Sequence, residues 1–124
     1  MELKDLAKGQ AVLTGVDFTY GGTERYATND LSFCLDGVVY VAEEDPDDGY
    51  RSTLKEIRVS DQPIKNTFPG IPVMCVMPND ILNIYSLLSA GVILRVGTDN
   101  TDDWYPMCIM EWSPKNIHTE AGKL

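Results

Sequence analysis

The run LSFCL-DG-VVYVA, residues 31–42, constrains the fold of this chain more than any other stretch. Asp36-Gly37 is a pair that a two-residue type I′ turn favours, because both central positions need positive φ, and alternating β-formers flank it. An antiparallel hairpin is expected here. The rest of the chain repeats the same grammar of short apolar or alternating runs separated by turn residues. AVLTGVDFTY (11–20) reads as a strand leading into the loop GGTER, and IPVMCVM (71–77) is apolar at successive positions. ILNIYSLLSAGVILRVGT (81–98) reads as a second hairpin turning near Ser89-Ala90-Gly91. WYPMCIMEW (104–112) is apolar on both faces, and Pro106 places its start at a sheet edge or bulge. STLKEIRVS (52–60) stays open: Thr53 and Glu56 can make a capping box for one helical turn, whereas Ile57 and Val59 favour strand. ELKDLAKG is the helical exception, with Leu3, Leu6 and Ala7 on one face and Gly9 placed to cap it.

These elements predict a mainly all-β single domain over residues 1–124, an antiparallel β-sandwich or flattened barrel of about seven strands. A short N-terminal helix (1–9) precedes it, and a polar, loosely held tail (113–124) follows. A chain of 124 residues has room for one core and buries about two thirds of its unfolded surface without a disulfide or metal staple. Strands apolar on both faces need an outer cover, supplied by the N-terminal helix or by a second copy of the chain. A homo-oligomer is the expectation.

Charge narrows the partners. Nineteen Asp and Glu against ten Lys and Arg give a net charge of −9, which works against nucleic-acid polymers and anionic membrane surfaces. Cys34, Cys75 and Cys108 are odd in number, widely spaced and set in apolar runs, so they read as free buried thiols of a reducing compartment. MELKDLAKGQ has no apolar signal-peptide core and no run is long enough to span a bilayer, which points to the cytoplasm.

Most readable chemistries fail on inspection. His118 is the only histidine and lies in the polar tail, which leaves no base for a Ser/His or Cys/His pair and no zinc ligand set. Neither phosphate-binding glycine motif occurs, and nothing selects one pair of carboxylates for hydrolysis. No enzyme, no cofactor and no metal site is therefore expected. The tract EEDPDDGYRS (43–52) carries five carboxylates in the six positions from Glu43 to Asp48. As a calcium loop it fails, because Gly49 stands where a ligand is needed and Arg51 sits beside the site. It reads better as an Asx-closed turn presenting Tyr50 and Arg51.

That tract has an echo. Asp47-Asp48-Gly49-Tyr50 is repeated in order by Asp102-Asp103-Trp104-Tyr105 in TDNTDDWYP. Both tracts join predicted strands. They are either convergent turn chemistry or loops that lie together at one end of the fold and bind there. On the binding alternative Tyr50, Trp104 and Tyr105 offer stacking faces. Arg51 is a forked phosphate donor, and Asp48 and Asp103 orient it or accept ligand hydroxyls. Arg25, on a glycine-rich loop, and Arg95, flanked by apolar residues, sit in similar contexts. Arg95 either lines a pocket or interface or snorkels at the surface.

EDPDDGYRS, followed by Leu54 and by Glu56-Ile57, together with GTDNTDDWYP, resembles small proteins of tailed bacteriophages. It is most similar to the first Thoeris anti-defence family, which sequesters nucleotide immune signals. The resemblance runs from about Val12 to Pro114, with these two tracts as its specific part. It implies a β-rich protein that forms dimers or higher oligomers up to a hexamer, acting in the host cytoplasm without catalysis. It implies capture of glycocyclic ADP-ribose made by TIR enzymes and, in some members, of CBASS cyclic oligonucleotides. Arg51 carries over as a family-type phosphate contact. A second expectation belongs to another class: a small acidic protein that docks on a host protein as a nucleic-acid mimic or inhibitor.

Overall fold

The computed structural model describes residues 1–21, 29–44, 54, 56–100 and 107–117. Its strands are β1 (Gly9–Thr19), β2 (Asp30–Leu35), β3 (Val38–Glu43), β4 (Arg58–Ser60), β5 (Thr67–Val76), β6 (Ile81–Ser86), β7 (Val92–Asp99) and β8 (Met107–Trp112). They form one antiparallel sheet in the order β4-β3-β2-β1-β5-β6-β7-β8, which is not closed into a barrel. Asp36 and Gly37 take φ of 50° and 83°, the left-handed pair that closes the expected type I′ hairpin. In the second hairpin the buried Ser86 Oγ accepts the N–H groups of Leu88 and Ser89 at 3.0 and 3.2 Å, and Ala90 supplies the positive φ.

β1 organises the sheet. Three strands meander away from one side of it. The chain then returns across the outer face and lays β5 on its other side. The return segment is fastened to β1: Asp17 accepts the backbone N–H groups of Lys65 and Asn66 at 2.9 and 3.0 Å, and Ile64 packs on Gly15 so closely that a Cβ there would lie 2.9 Å from it. The register of β1 slips between Leu13 and Gly15 against both neighbours, and such a bulge bends the strand that carries it. The two halves of the sheet thereby turn their apolar faces toward each other. Leu13, Val16, Leu31, Phe33 and Leu35 share one core cluster with Leu82, Ile84, Leu94 and Val96.

Two sequence expectations need correction and two open alternatives are resolved. The N-terminal helix is a single 3-10 turn, Leu3–Leu6, and Gly9 opens β1 instead of capping a helix. A segment this short does not sustain an α-helix, and the three-residue spacing puts both leucines into the core. The ambiguous stretch 52–60 ends in β4, which pairs with Val39–Val41 and brings the strands to eight. The tail is held as far as Ile117, which is buried. There Ser113 donates its N–H to the Ile93 carbonyl at 2.8 Å, and the Asn116 amide donates to the Val92 carbonyl. His118 lies outside the described residues. Finally, the N-terminal turn joins the core rather than covering the outer face, where Val12, Val76 and Met107 stay exposed. Among the described residues no helix is long and apolar enough to cross a membrane.

The three cysteines are free; Cys75 is buried, whereas Cys34 and Cys108 are half-buried. Burial is the main cause that pushes the Cys75 thiol up from 9.0 to about 11. The native state thus keeps its proton where the unfolded chain loses it, so this contribution to stability is intact below pH 9 and lost as pH rises through 11. At pH 8 iodoacetamide is expected to leave Cys75 unmodified until urea unfolds the chain. Labelling of Cys75 as fast as that of Cys34 in the folded protein would contradict this.

Candidate functional site

Three sequence-predicted tracts lie mostly outside the described residues, but residues flanking them are placed, and hydrogen bonds join those flanks pairwise. Asn29, at the start of β2, accepts the Gly21 N–H on its side-chain oxygen at 3.0 Å and donates from its amide nitrogen to Glu44 Oε1 at 2.8 Å. The Glu44 N–H returns to the Asn29 carbonyl at 3.1 Å. One asparagine thus ties both flanks of segment 22–28, which contains Arg25, to the near flank of segment 45–53, which contains Asp48, Tyr50 and Arg51. At the far flank of 45–53, the Leu54 N–H donates to Thr98 Oγ1 at 2.8 Å, and the Thr98 hydroxyl donates to the Leu54 carbonyl at 2.9 Å. Thr98 begins TDNTDDWYP on β7, so this buried reciprocal pair ties the first acidic tract to its echo.

The chain reaches this junction because the first and second halves of the sheet fold together. Arg58 Nε lies 2.6 Å from Glu43 Oε1 across β3 and β4. Ile57 exchanges hydrogen bonds with Met1 at 2.9 and 3.1 Å, and Glu2 bridges Glu56. The N-terminus is thereby carried into a cleft of about 330 Å³ lined by Glu2, Lys4, Leu54, Met77, Asp80, Thr98 and Asn100. Leu54 and Met77 supply apolar wall, and the other five supply polar groups. Lys4 Nζ lies 3.1 Å from Glu2 Oε2; that hydrogen bond, then the carboxylate's charge, raises the lysine pKa.

Asp80 is aimed by strain. Asn79 and Asp80 take successive left-handed conformations, with φ of 55° and 65°, in the turn between β5 and β6. Asn and Asp tolerate that region better than other non-glycine residues. The turn packs on Gly97, where a Cβ would stand 2.4 Å from the Asp80 carbonyl oxygen. The Asn100 amide approaches Asp80 Oδ2 at 3.5 Å, the outer limit of a hydrogen bond.

Of the eight sequence-predicted site residues, Arg95 is the one described. It lies on the outer face of β7, opposite Glu111 of β8, with Nη1 2.9 Å from Oε1 and both side chains partly exposed. That is the surface alternative: a cross-strand ion pair worth about 1 kcal/mol at most, on the face opposite Thr98, and Arg95 is not among the described residues lining the cleft. Arg25, Asp48, Tyr50, Arg51, Asp103, Trp104 and Tyr105 lie outside the described residues. Sequence reasoning missed Glu2, Lys4, Met77 and Asp80 altogether. Asn79-Asp80 did carry a signal, a pair of left-handed-tolerant residues after a proline, but nothing local marks Glu2 or Lys4.

A larger, shallower depression of about 700 Å³ lies on the outer face, lined by Asp17, Asp30, Arg58, Lys65 and Trp112 among others. Its polar groups are mostly committed, Asp17 to the return segment and Arg58 to Glu43. Burial, then the Glu43 carboxylate, pushes Asp30 above the usual carboxylate range. Among the described residues no three His, Cys, Asp or Glu side chains gather into a group that could hold a metal ion. Comparison with protein-family models, characterised proteins and solved structures finds no match for this chain.

Proposed function

We propose that this protein binds a small cyclic nucleotide and withholds it without altering it, as a phage anti-defence sponge acting in the host cytoplasm. The carrying observation is the meeting at one cleft of one flank of each Asp-Asp-x-Tyr tract, joined reciprocally through Leu54 and Thr98. Those tracts hold three aromatic side chains for stacking and Arg51 for a phosphate. A protomer of charge −9 repels such a ligand at long range. Beyond about 8 Å that repulsion is largely screened at physiological salt, so a local arginine decides the contact.

A homo-oligomer belongs to the same proposal. β8 ends the sheet, five of its six residues are apolar, and none is buried. Its one carboxylate, Glu111, is already neutralised by Arg95. Such an edge favours pairing with another strand, and an antiparallel partner β8 supplies a self-complementary one.

The test is calorimetric titration of glycocyclic ADP-ribose and of a cyclic trinucleotide into the full chain, with light scattering on the same sample for its mass. Expected are tight binding of one of them, recovery of that ligand intact on denaturing the protein, and a mass above one protomer. Arg51→Ala is expected to weaken binding on the order of tenfold to a hundredfold with no loss of fold. Absence of heat with both ligands points instead to docking on a host protein, and a chemically changed ligand points to an enzyme.

A further inference from the structure

The cleft is built for a different part of such a ligand than its phosphates. Among the described residues two carboxylates line it, Glu2 and Asp80, against one cation, Lys4, which Glu2 already holds at 3.1 Å. A phosphate placed there meets net negative charge from the described residues, attenuated because Glu2, Lys4 and Asp80 are exposed to water. Hydroxyl and amino groups meet the opposite situation. A carboxylate accepts several hydrogen bonds, and bonds to an ionised acceptor are the strong ones. A carboxylate that accepts from ribose hydroxyls is a recurrent solution in nucleotide recognition.

We propose, resting on the nucleotide reading above, that the cleft receives the uncharged, donor-bearing nucleoside portion of the ligand, with Asp80 accepting from its ribose hydroxyls. Three observations carry this. Asp80 stands in the cleft on a left-handed turn wedged against Gly97, so its place is set before any ligand arrives. Its hydrogen bond among the described residues is the 3.5 Å approach of Asn100, which leaves it acceptor capacity, whereas the Thr98 hydroxyl is spent on Leu54. The volume of about 330 Å³ is at the small end of ligand sites and matches one nucleoside better than a whole cyclic oligonucleotide. Leu54 and Met77 give the sugar and base an apolar surface, methionine being well suited to an irregular one.

The sign of one substitution decides the matter. Asp80→Asn removes a negative charge and keeps the side chain's size, and asparagine tolerates the left-handed backbone equally well. If Asp80 accepts ribose hydroxyls, the affinity for glycocyclic ADP-ribose falls on the order of tenfold to a hundredfold. If Asp80 merely repels an anion held elsewhere, the affinity rises or stays unchanged, and the proposal is overturned. Adenosine and 2′,3′-dideoxyadenosine as competitors on the unsubstituted protein give a second reading, independent of any variant. Adenosine is expected to displace the ligand about tenfold better, and equal displacement overturns the assignment. Failure of the unsubstituted protein to bind glycocyclic ADP-ribose is a separate result, which removes the nucleotide reading along with the role of Asp80.

Discussion

Gly97→Ala is expected to destabilise the protein by about 3 kcal/mol and to weaken the proposed ligand capture at the cleft on the order of tenfold to a hundredfold, as loss of Asp80 would. An added Cβ would sit 2.4 Å from the Asp80 carbonyl oxygen and 2.9 Å from the Ile81 Cα. Both atoms belong to backbone, so no side chain can swing aside to make room. Gly97 pairs with Ile81 in the β6–β7 register and with Ile109 on β8, so relief requires the three strands to shift together or the Asn79-Asp80 turn to lift. The second course moves Asp80 out of the cleft. Equilibrium urea unfolding measures the first effect and calorimetry the second. Gly37→Ala is the control. Its glycine also has a positive φ but nothing within 4 Å of the added atom, so that variant should lose less stability and keep binding. Equal losses in the two variants would show that the close approach at Gly97 is not what matters.

Thr98→Val is expected to cost about 3 kcal/mol, although it changes the shape of the side chain hardly at all. Thr98 is 2% exposed and Leu54 4%, and the hydroxyl of the one both accepts from and donates to the backbone of the other. Valine keeps the packing and leaves a buried N–H and a buried C=O without that partner, each costing on the order of 1–3 kcal/mol. The loss falls where segment 45–53 is fastened to β7. Thr98→Ser, which keeps the hydroxyl and loses a methyl, should cost about 1 kcal/mol and retain binding. Hydrogen exchange at the Leu54 amide reads the effect directly. Rapid exchange in the valine variant together with slow exchange in the serine variant is the expected outcome; a valine variant as protected as the original would show that the pair does not hold the junction.

The contrast between Arg95 and Asp80 shows what kind of site this is. Arg95 satisfies its charge across the strand with Glu111 on a solvent-facing surface, so its sequence context of apolar neighbours reflects alternation in a sheet rather than a pocket. Asp80 is marked in sequence by the turn pair Asn79-Asp80 after Pro78 alone, and it is a strained turn and a glycine on the next strand that place it at a cleft. Strain held at non-glycine residues is costly and persists where surrounding packing enforces it, which is why such positions repay attention as binding sites.

Much of the fold was legible in the chain because strands announce themselves locally. Asp36-Gly37 dictated its hairpin through φ alone, Ser89-Ala90-Gly91 marked the second, and the apolar runs at 71–77 and 104–112 fall largely, over their described residues, on β5 and β8. The 3-10 turn at Leu3–Leu6 was misjudged and the three-residue β4 left undecided because short segments take their geometry from what they pack on. The similarity of the two Asp-Asp-x-Tyr tracts was visible as text. The joining of their flanks was a tertiary result: it needs a bulge in β1 to fold the sheet over and bring Leu54 to Thr98, residues 44 positions apart. The cleft has the same origin. Glu2, Leu54, Asp80 and Asn100 come from four separate parts of the chain, and no local pattern encodes their meeting, because only the curled sheet closes the distance between them.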